Sequence, residues 1–176
     1  MENYNILITG SNGFLGRSIY RTLKKKKFNI KKIDIKKIFF EKLNQKKINN
    51  LLKNNYKFKK KNILIHLGWG NIGNPYSQYH KINFQKSKII LDFCSSYNFK
   101  KVIFCGSINE YGNKNGKVKE SDKKGKINNL YSKYKLQTTE YGLAKIKNFF
   151  SLRCSYIYGY EQRKGTLIDY LIKNIK

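Results

Sequence analysis

The chain has 176 residues, 40% of them apolar, and a formal net charge of +28 from 38 Lys and Arg against 10 Asp and Glu. That length supports a single domain, residues 1–176, with a sizeable core, and no apolar run approaches the roughly 20 residues of a membrane span. Three cysteines (Cys94, Cys105, Cys154) without paired spacing argue against a disulfide or zinc framework and for a reducing cytoplasm, and no metal site is expected.

Asn5–Thr9 is a short apolar run ending at a glycine and reads as a buried strand. No basic segment followed by a longer apolar one precedes it, so no secretory signal is expected and the protein is expected in the cytoplasm. Leu15, Ile19 and Leu23 recur at helical spacing, and Lys24–Lys27 close that helix with cations. Ile30, Ile33 and Ile35 mark a second strand with Asp34 near its end, and Ile38–Phe40 a short third one. Leu43, Ile48, Leu51 and Leu52 suggest a helix, and Ile63–Leu67 is again a strand, ending at Gly68-Trp69-Gly70. Ile82, Ile89, Ile90 and Phe93 mark a helix, and Val102–Cys105 a strand ending at Gly106-Ser107. Residues 113–130 read as a polar loop, 131–147 as a helix, 149–154 as a strand and 167–175 as a last helix. Strands alternating with helices specify an α/β fold, a Rossmann-type, doubly wound parallel sheet with helices on both faces. No repeat or linker divides the chain.

The charge has two readings. It resembles a nucleic-acid binder's footprint. Yet 34 of the 38 cations are Lys, and Lys, Asn and Ile together supply 77 residues, against one Ala and two Val. That is the imprint of A/T-rich coding on solvated positions. Bidentate base and phosphate recognition prefers Arg, of which there are four. Weak, non-specific attraction to polyanions is expected, and no specific nucleic-acid site.

Gly10, Ser11, Asn12, Gly13, Phe14, Leu15 and Gly16 form a Gly-x-x-Gly-x-x-Gly turn between the first strand and its helix. One glycine makes the tight turn, one admits a pyrophosphate against the backbone, and one lets helix and strand pack closely. The helix N-terminus then offers amide donors to the phosphates. Asp34, 18 residues past Gly16, is placed to accept from ribose hydroxyls and to disfavour a 2′-phosphate, which favours NAD over NADP; Lys36 and Lys37 blur this.

Tyr131 and Lys135 form Tyr-x-x-x-Lys, and i, i+4 spacing projects both from one helix face. A free tyrosine titrates near 10, so work as an acid/base at neutral pH calls for roughly 4 kcal/mol of help to the phenolate, which an ammonium in a partly desolvated cleft can give. Ser107, just past a strand end, could hydrogen-bond the substrate oxygen that gains or loses the proton.

Taken in order, these motifs resemble the extended short-chain dehydrogenase/reductases, the NAD-dependent epimerase/dehydratase group acting on nucleotide sugars. The resemblance runs from residue 5 to the end. It rests on Thr9–Gly16, Ile65-His66-Leu67-Gly68-Trp69, Gly106–Gly112, Tyr131-x-x-x-Lys135, Leu152-Arg153 and Tyr158-Gly159. It implies that Tyr131 is the acid/base, that Lys135 holds the nicotinamide ribose and lowers the tyrosine pKa, that Ser107 orients substrate, and that Leu67 and Gly68 line the cofactor. Asn83 matches an Asn position of the family, with a capping or solvated amide as the equal alternative. A homodimer is a further expectation of the resemblance.

The departures are specific. Leu130 or Asn129 stands where the family usually has Pro before the tyrosine, Tyr160 where another Pro follows, and Tyr156 where an Asn helps hold the nucleotide sugar. The stretch between Asp34 and Ile63 lacks the Asp that usually meets adenine. Family members also continue past Lys176 into a substrate lobe, expected to be largely absent here. The sequence therefore leads to an epimerase-, dehydratase- or reductase-type domain using hydride transfer. A catalytically inactive NAD-binding remnant is the first alternative and a non-specific polyanion binder the second.

Overall fold

The computed structural model describes residues 4–33, 61–159, 161–162 and 164–175. Asp34, the short strand expected at 38–40 and the helix expected around 43–52 lie outside them, as does Tyr160.

Five parallel strands form one sheet: β1 (Tyr4–Thr9), β2 (Asn29–Ile33), β3 (Lys61–His66), β4 (Lys101–Cys105) and β5 (Phe149–Leu152), in the spatial order β2-β1-β3-β4-β5. The helices between them are α1 (Phe14–Lys25), α2 (Tyr79–Ser96) and α3 (Leu130–Lys145), with a short 3-10 turn at Ile108–Tyr111 and a final α4 at Leu167–Asn174. No helix among the described residues is long and apolar enough to cross a membrane. Sheet order reverses at β1: the chain steps one way to β2, then crosses to β3 and continues the other way through β4 to β5. Right-handed crossovers then place α1 on one face and α2 with α3 on the other.

The burial of each strand follows from its place. β1 is an interior strand and buried almost throughout, matching its unbroken apolar run. β2 is an edge strand with Lys31 and Lys32 exposed. One register row, Leu7–Leu64–Val102–Phe149, crosses four strands. Against it pack Ile90, Leu91, Phe93 and Cys94 from α2. Gly142 of α3 lies flat on the Phe149 ring, where a side chain would collide.

Several boundaries differ from the sequence reading by a residue or two, and two of them have a visible cause. β5 ends at Leu152 because the Cys154 amide turns back to the Leu152 carbonyl at 2.8 Å, and the Cys154 carbonyl takes the Ile108 amide at 3.0 Å. α3 starts at Leu130 because the Asn129 side chain caps it, accepting from the Ser132 amide at 2.8 Å. Residues 113–130 are irregular up to that cap apart from one antiparallel bridge, Asn113 to Lys126.

Candidate active site

The carboxyl ends of β1 and β3 flank the point where sheet order reverses, the place where open α/β sheets gather ligands. The glycine turn sits there. Gly10 has φ +68°, a left-handed conformation natural to glycine, and a Cβ on it would lie 2.7 Å from the Gly68 nitrogen. A Cβ on Gly16 would drive into the Gly10 carbonyl, so Gly16 is what lets α1 begin against the turn. Gly13 is the N-cap of α1, which has neither a side-chain cap nor an acidic residue in its first turn. The amides of Phe14 and Leu15 thus open a helix with no acidic residue in its first turn, beside Ser11 and Asn12, and the Glu161 carboxylate is taken by Arg17 and Arg21 of the same helix. These residues fit a dinucleotide pyrophosphate: a glycine cradle that any side chain would fill, and a helix N-terminus with no anion of its own.

A buried polar relay fixes the opposite wall. Thr9 Oγ1 accepts from the amides of both Leu67 and Gly68 at 3.1 Å, so it donates its proton to His66 Nδ1 at 2.6 Å. His66 Nε2 lies 2.9 Å from Ser87 Oγ, which donates onward to the Asn83 carbonyl at 2.9 Å. The only consistent tautomer carries hydrogen on Nε2. Burial, with Lys135 nearby, lowers the imidazole pKa to about 3, so the ring stays neutral. Asn83 is buried, and its amide clamps Gly70 from both sides: Oδ1 accepts from the Gly70 amide at 3.1 Å and Nδ2 donates to the Gly70 carbonyl at 2.9 Å. It is neither a cap nor a solvated amide; it shapes the Leu67–Gly70 loop.

That loop carries Trp69 into the second half of the site. Trp69 Nε1 donates to His80 Nδ1 at 3.1 Å, and His80 Nε2 donates to the Asn74 carbonyl at 2.9 Å. The Trp69 and His80 rings each meet Tyr131 edge-on, 6.4 and 5.3 Å between centroids. The Tyr131 amide bonds the Pro75 carbonyl at 2.8 Å, pinning the first turn of α3.

Ser107, Tyr131 and Lys135 converge here. Ser107 acts on the Tyr131 hydroxyl in the direction that favours the phenolate, while burial acts more strongly and raises the phenol above its ordinary range. Lys135 is buried, and its ammonium donates to the Cys105 carbonyl at 2.5 Å. It also stands 4.4 Å from the Trp69 ring, 4.7 Å from Phe104 and 5.8 Å from Tyr131. Desolvation lowers its pKa to about 8. Lys135 thus rests in an aromatic cage on a backbone carbonyl, one helical turn from the phenol.

Glu110 is fully buried at the back of this group. Its Oε1 accepts from the Ser107 amide at 2.8 Å, closing a capping box with the Ser107 hydroxyl, which accepts from the Asn109 amide at 3.2 Å. Sequence reasoning passed over it, although Ser-x-x-Glu is a capping signature. It also passed over Thr9, His66 and His80 as site builders, since nothing short-range links them.

A model of the NAD dependent epimerase/dehydratase family matches residues 6–176. No curated protein sequence matches the chain. Among solved structures, a dTDP-4-dehydrorhamnose reductase from Clostridium acetobutylicum is 20% identical with a TM-score of 0.73, over 96% of this chain and 58% of that one. A dTDP-glucose 4,6-dehydratase from Bacillus anthracis in complex with NAD gives 21% identity and 0.73, over 97% and 61%. MoeE5 in complex with UDP-glucuronic acid and NAD gives 20% and 0.73, over 96% and 60%. The chain spans about three fifths of the length of these structures.

Proposed function

The chain belongs to the NAD dependent epimerase/dehydratase family, and on that premise we propose that it is the cofactor-binding and proton-transfer part of an enzyme acting on a nucleotide sugar. The observation that carries this is the caged Lys135 one helical turn from Tyr131, with Ser107 acting on the same phenol, at the carboxyl end of the sheet where the glycine cradle also lies.

NAD, when bound, accepts or returns a hydride at a sugar carbon. Every other role falls to the chain. The α1 N-terminus, through Gly13, Phe14 and Leu15, receives the pyrophosphate, and Leu67 and Gly68 line the cofactor. Asp34 is assigned the adenosine ribose hydroxyls, which selects NAD over NADP. Lys135 exchanges the Cys105 carbonyl for ribose hydroxyls and brings positive charge nearer the phenol. That charge offsets the burial that now holds Tyr131 protonated. Tyr131 then takes the hydroxyl proton of the sugar as the hydride leaves, or returns it in reduction, and Ser107 holds the same oxygen. Epimerisation, dehydration and reduction share this first exchange.

Energy transfer from Trp69, the only tryptophan, to added NADH tests the cofactor site. A saturable signal is expected; its absence overturns the reading. Tyr131→Phe is expected to abolish hydride exchange with UDP- or dTDP-glucose while NADH still binds.

A binding module without turnover is the second reading, favoured by the β5 edge, where Phe150 and Leu152 are 47% and 53% exposed and Tyr156 beyond them 90%. Saturable NADH binding with no exchange on any sugar nucleotide selects it. The +28 charge alone favours polyanion binding, for which RNA affinity would fall steeply with salt and show no sequence preference.

A further inference from the structure

A capping box needs only one oxygen of its acidic residue, and a glutamine serves as well. Glu110 goes beyond that requirement. Its second oxygen, Oε2, accepts from Thr139 Oγ1 at 2.8 Å and from Arg153 Nε at 3.3 Å. Thr139 gives its proton to the carboxylate, so its contact with Ser151 Oγ at 2.8 Å is donated by the serine. Arg153 lies over the Tyr111 ring at 4.5 Å. One carboxylate therefore ties together the Ser107 turn, α3 and the end of β5. Tyr131, Lys135 and Thr139 are spaced i, i+4, i+8 along one face of α3. The helix that carries the acid/base is thus anchored, two turns on, to the group that anchors the serine. Space is reserved for it as well: a Cβ on Gly106 would stand 2.6 Å from Glu110 Oε1.

We propose that Glu110 is a positioning residue of this site, whose buried carboxylate locks the Ser107 turn to the helix face bearing Tyr131 and Lys135 and holds a fixed negative charge behind them. A fully buried carboxylate with one partly exposed counter-ion is a poor stabiliser compared with an apolar or amide substitute. A purely structural joint would be served by glutamine. What glutamine cannot supply is the charge, which acts on both neighbours: it raises the Tyr131 phenol and the Lys135 ammonium. The charge opposes premature ionisation of the tyrosine and keeps the lysine cationic where desolvation would discharge it.

The groups facing Tyr131 are Cys105 at the end of β4, Ser107 and Glu110 from the 3-10 turn, and Cys154 after β5, with His80 from α2 and Lys135 from its own helix. Arg153 is not among those acting on it. That gives a substitution and its control. Glu110→Gln keeps the cap and removes the charge. Arg153→Gln removes the counter-ion and leaves the Glu110 charge in place.

The inference rests on the assignment of Ser107, Tyr131 and Lys135 as the reacting group, but its test needs no substrate. Phenolate absorbance is titrated in the full chain and in its Tyr131→Phe form, and the difference isolates Tyr131. Glu110→Gln is expected to lower the Tyr131 midpoint by about half a unit to one unit, and Arg153→Gln to leave it where it is. Both should leave NADH energy transfer from Trp69 within about twofold, as Glu110 lies behind the trio and away from the glycine turn. An unchanged midpoint in a folded Glu110→Gln chain overturns the proposal, leaving Glu110 a helix cap only. Where that chain does not fold, a chain carrying both Glu110→Gln and Arg153→Gln, in which neither charge is left unpaired, decides alone: a midpoint lowered below that of Arg153→Gln supports the proposal and an unmoved one overturns it. Absence of NADH binding in the unsubstituted chain is a separate outcome that overturns the functional reading and leaves the titration to judge Glu110.

Discussion

Gly10 and Gly68 are in backbone contact: a Cβ on Gly10 would lie 2.7 Å from the Gly68 nitrogen and 2.8 Å from the Leu67 carbonyl carbon. The phosphate turn and the loop leading to Trp69 are therefore a single packed unit, held further by the Thr9 hydroxyl.

Gly10→Ala is expected to separate that unit. The left-handed backbone costs an alanine about 1–2 kcal/mol, and the collision with backbone atoms, which cannot rotate away, adds to it. A loss of at least about 2 kcal/mol in urea unfolding is expected, together with loss of NADH energy transfer from Trp69. Gly13→Ala meets only the Gly10 carbonyl, at 3.2 Å, and is expected to retain more of both.

His66 makes stability fall on mild acidification. An unfolded histidine binds its proton near 6.5, whereas buried His66 resists protonation until about 3. Between those values the unfolded chain holds the extra proton, so stability is full above 6.5 and drains as pH falls towards 3. The loss across the whole window is roughly 4–5 kcal/mol. Urea unfolding from pH 7 to pH 4 should show the slope in the natural chain, and a His66→Gln chain, with no proton to gain there, should lack most of it.

Lys135 works in the opposite range. Its amine titrates near 8 when folded, against an ordinary lysine value of 10.5. At neutral pH the folded chain therefore carries a buried ammonium at a cost on the order of 3 kcal/mol. Stability should rise as pH climbs from 8 to 10.5, because there the unfolded state holds the extra proton. Lys135→Met, close in length and volume, is expected to unfold about 2 kcal/mol later at pH 7, to lose that alkaline rise, and to abolish hydride exchange. A stabilised, inactive chain is the signature of a residue kept for function; a destabilised one would mean that the Cys105 hydrogen bond and the aromatic cage outweigh the desolvation.

What could be read beforehand and what could not divide along physical lines. The strand-turn-helix at Gly10–Gly16 was legible because φ and close approach are demands on individual residues. The helix face of Tyr131 and Lys135 was legible because periodicity alone sets it. The protein partner of the Lys135 ammonium was not: it donates to the Cys105 carbonyl among Trp69 and Phe104, an arrangement that depends on β4, α3 and the β3–α2 loop meeting in space. Asn83 likewise became a loop clamp only once Gly70 came near it. Glu110 was legible as a cap of Ser107 but not as a tie to Thr139 and Arg153, which arrive from far along the chain.

Gly142 offers a test in which two known effects compete. In an exposed helix interior, Gly→Ala gains about 1 kcal/mol from propensity. Gly142 is buried in α3, and an added Cβ would fall within the Phe149 ring. That ring closes the Leu7–Leu64–Val102–Phe149 row and stacks on Phe104 at 6.3 Å, so it has little room to yield. Overpacking of this kind costs about 1–3 kcal/mol, occasionally more, which exceeds the propensity gain. Gly142→Ala should therefore destabilise the protein by up to about 2 kcal/mol in urea unfolding. The same strain lifts α3 from the sheet at the helix that carries Tyr131, so NADH-dependent turnover should fall with it. A more stable alanine chain would mean that Phe149 moves freely and that α3 is seated less tightly on β5 than its glycine implies.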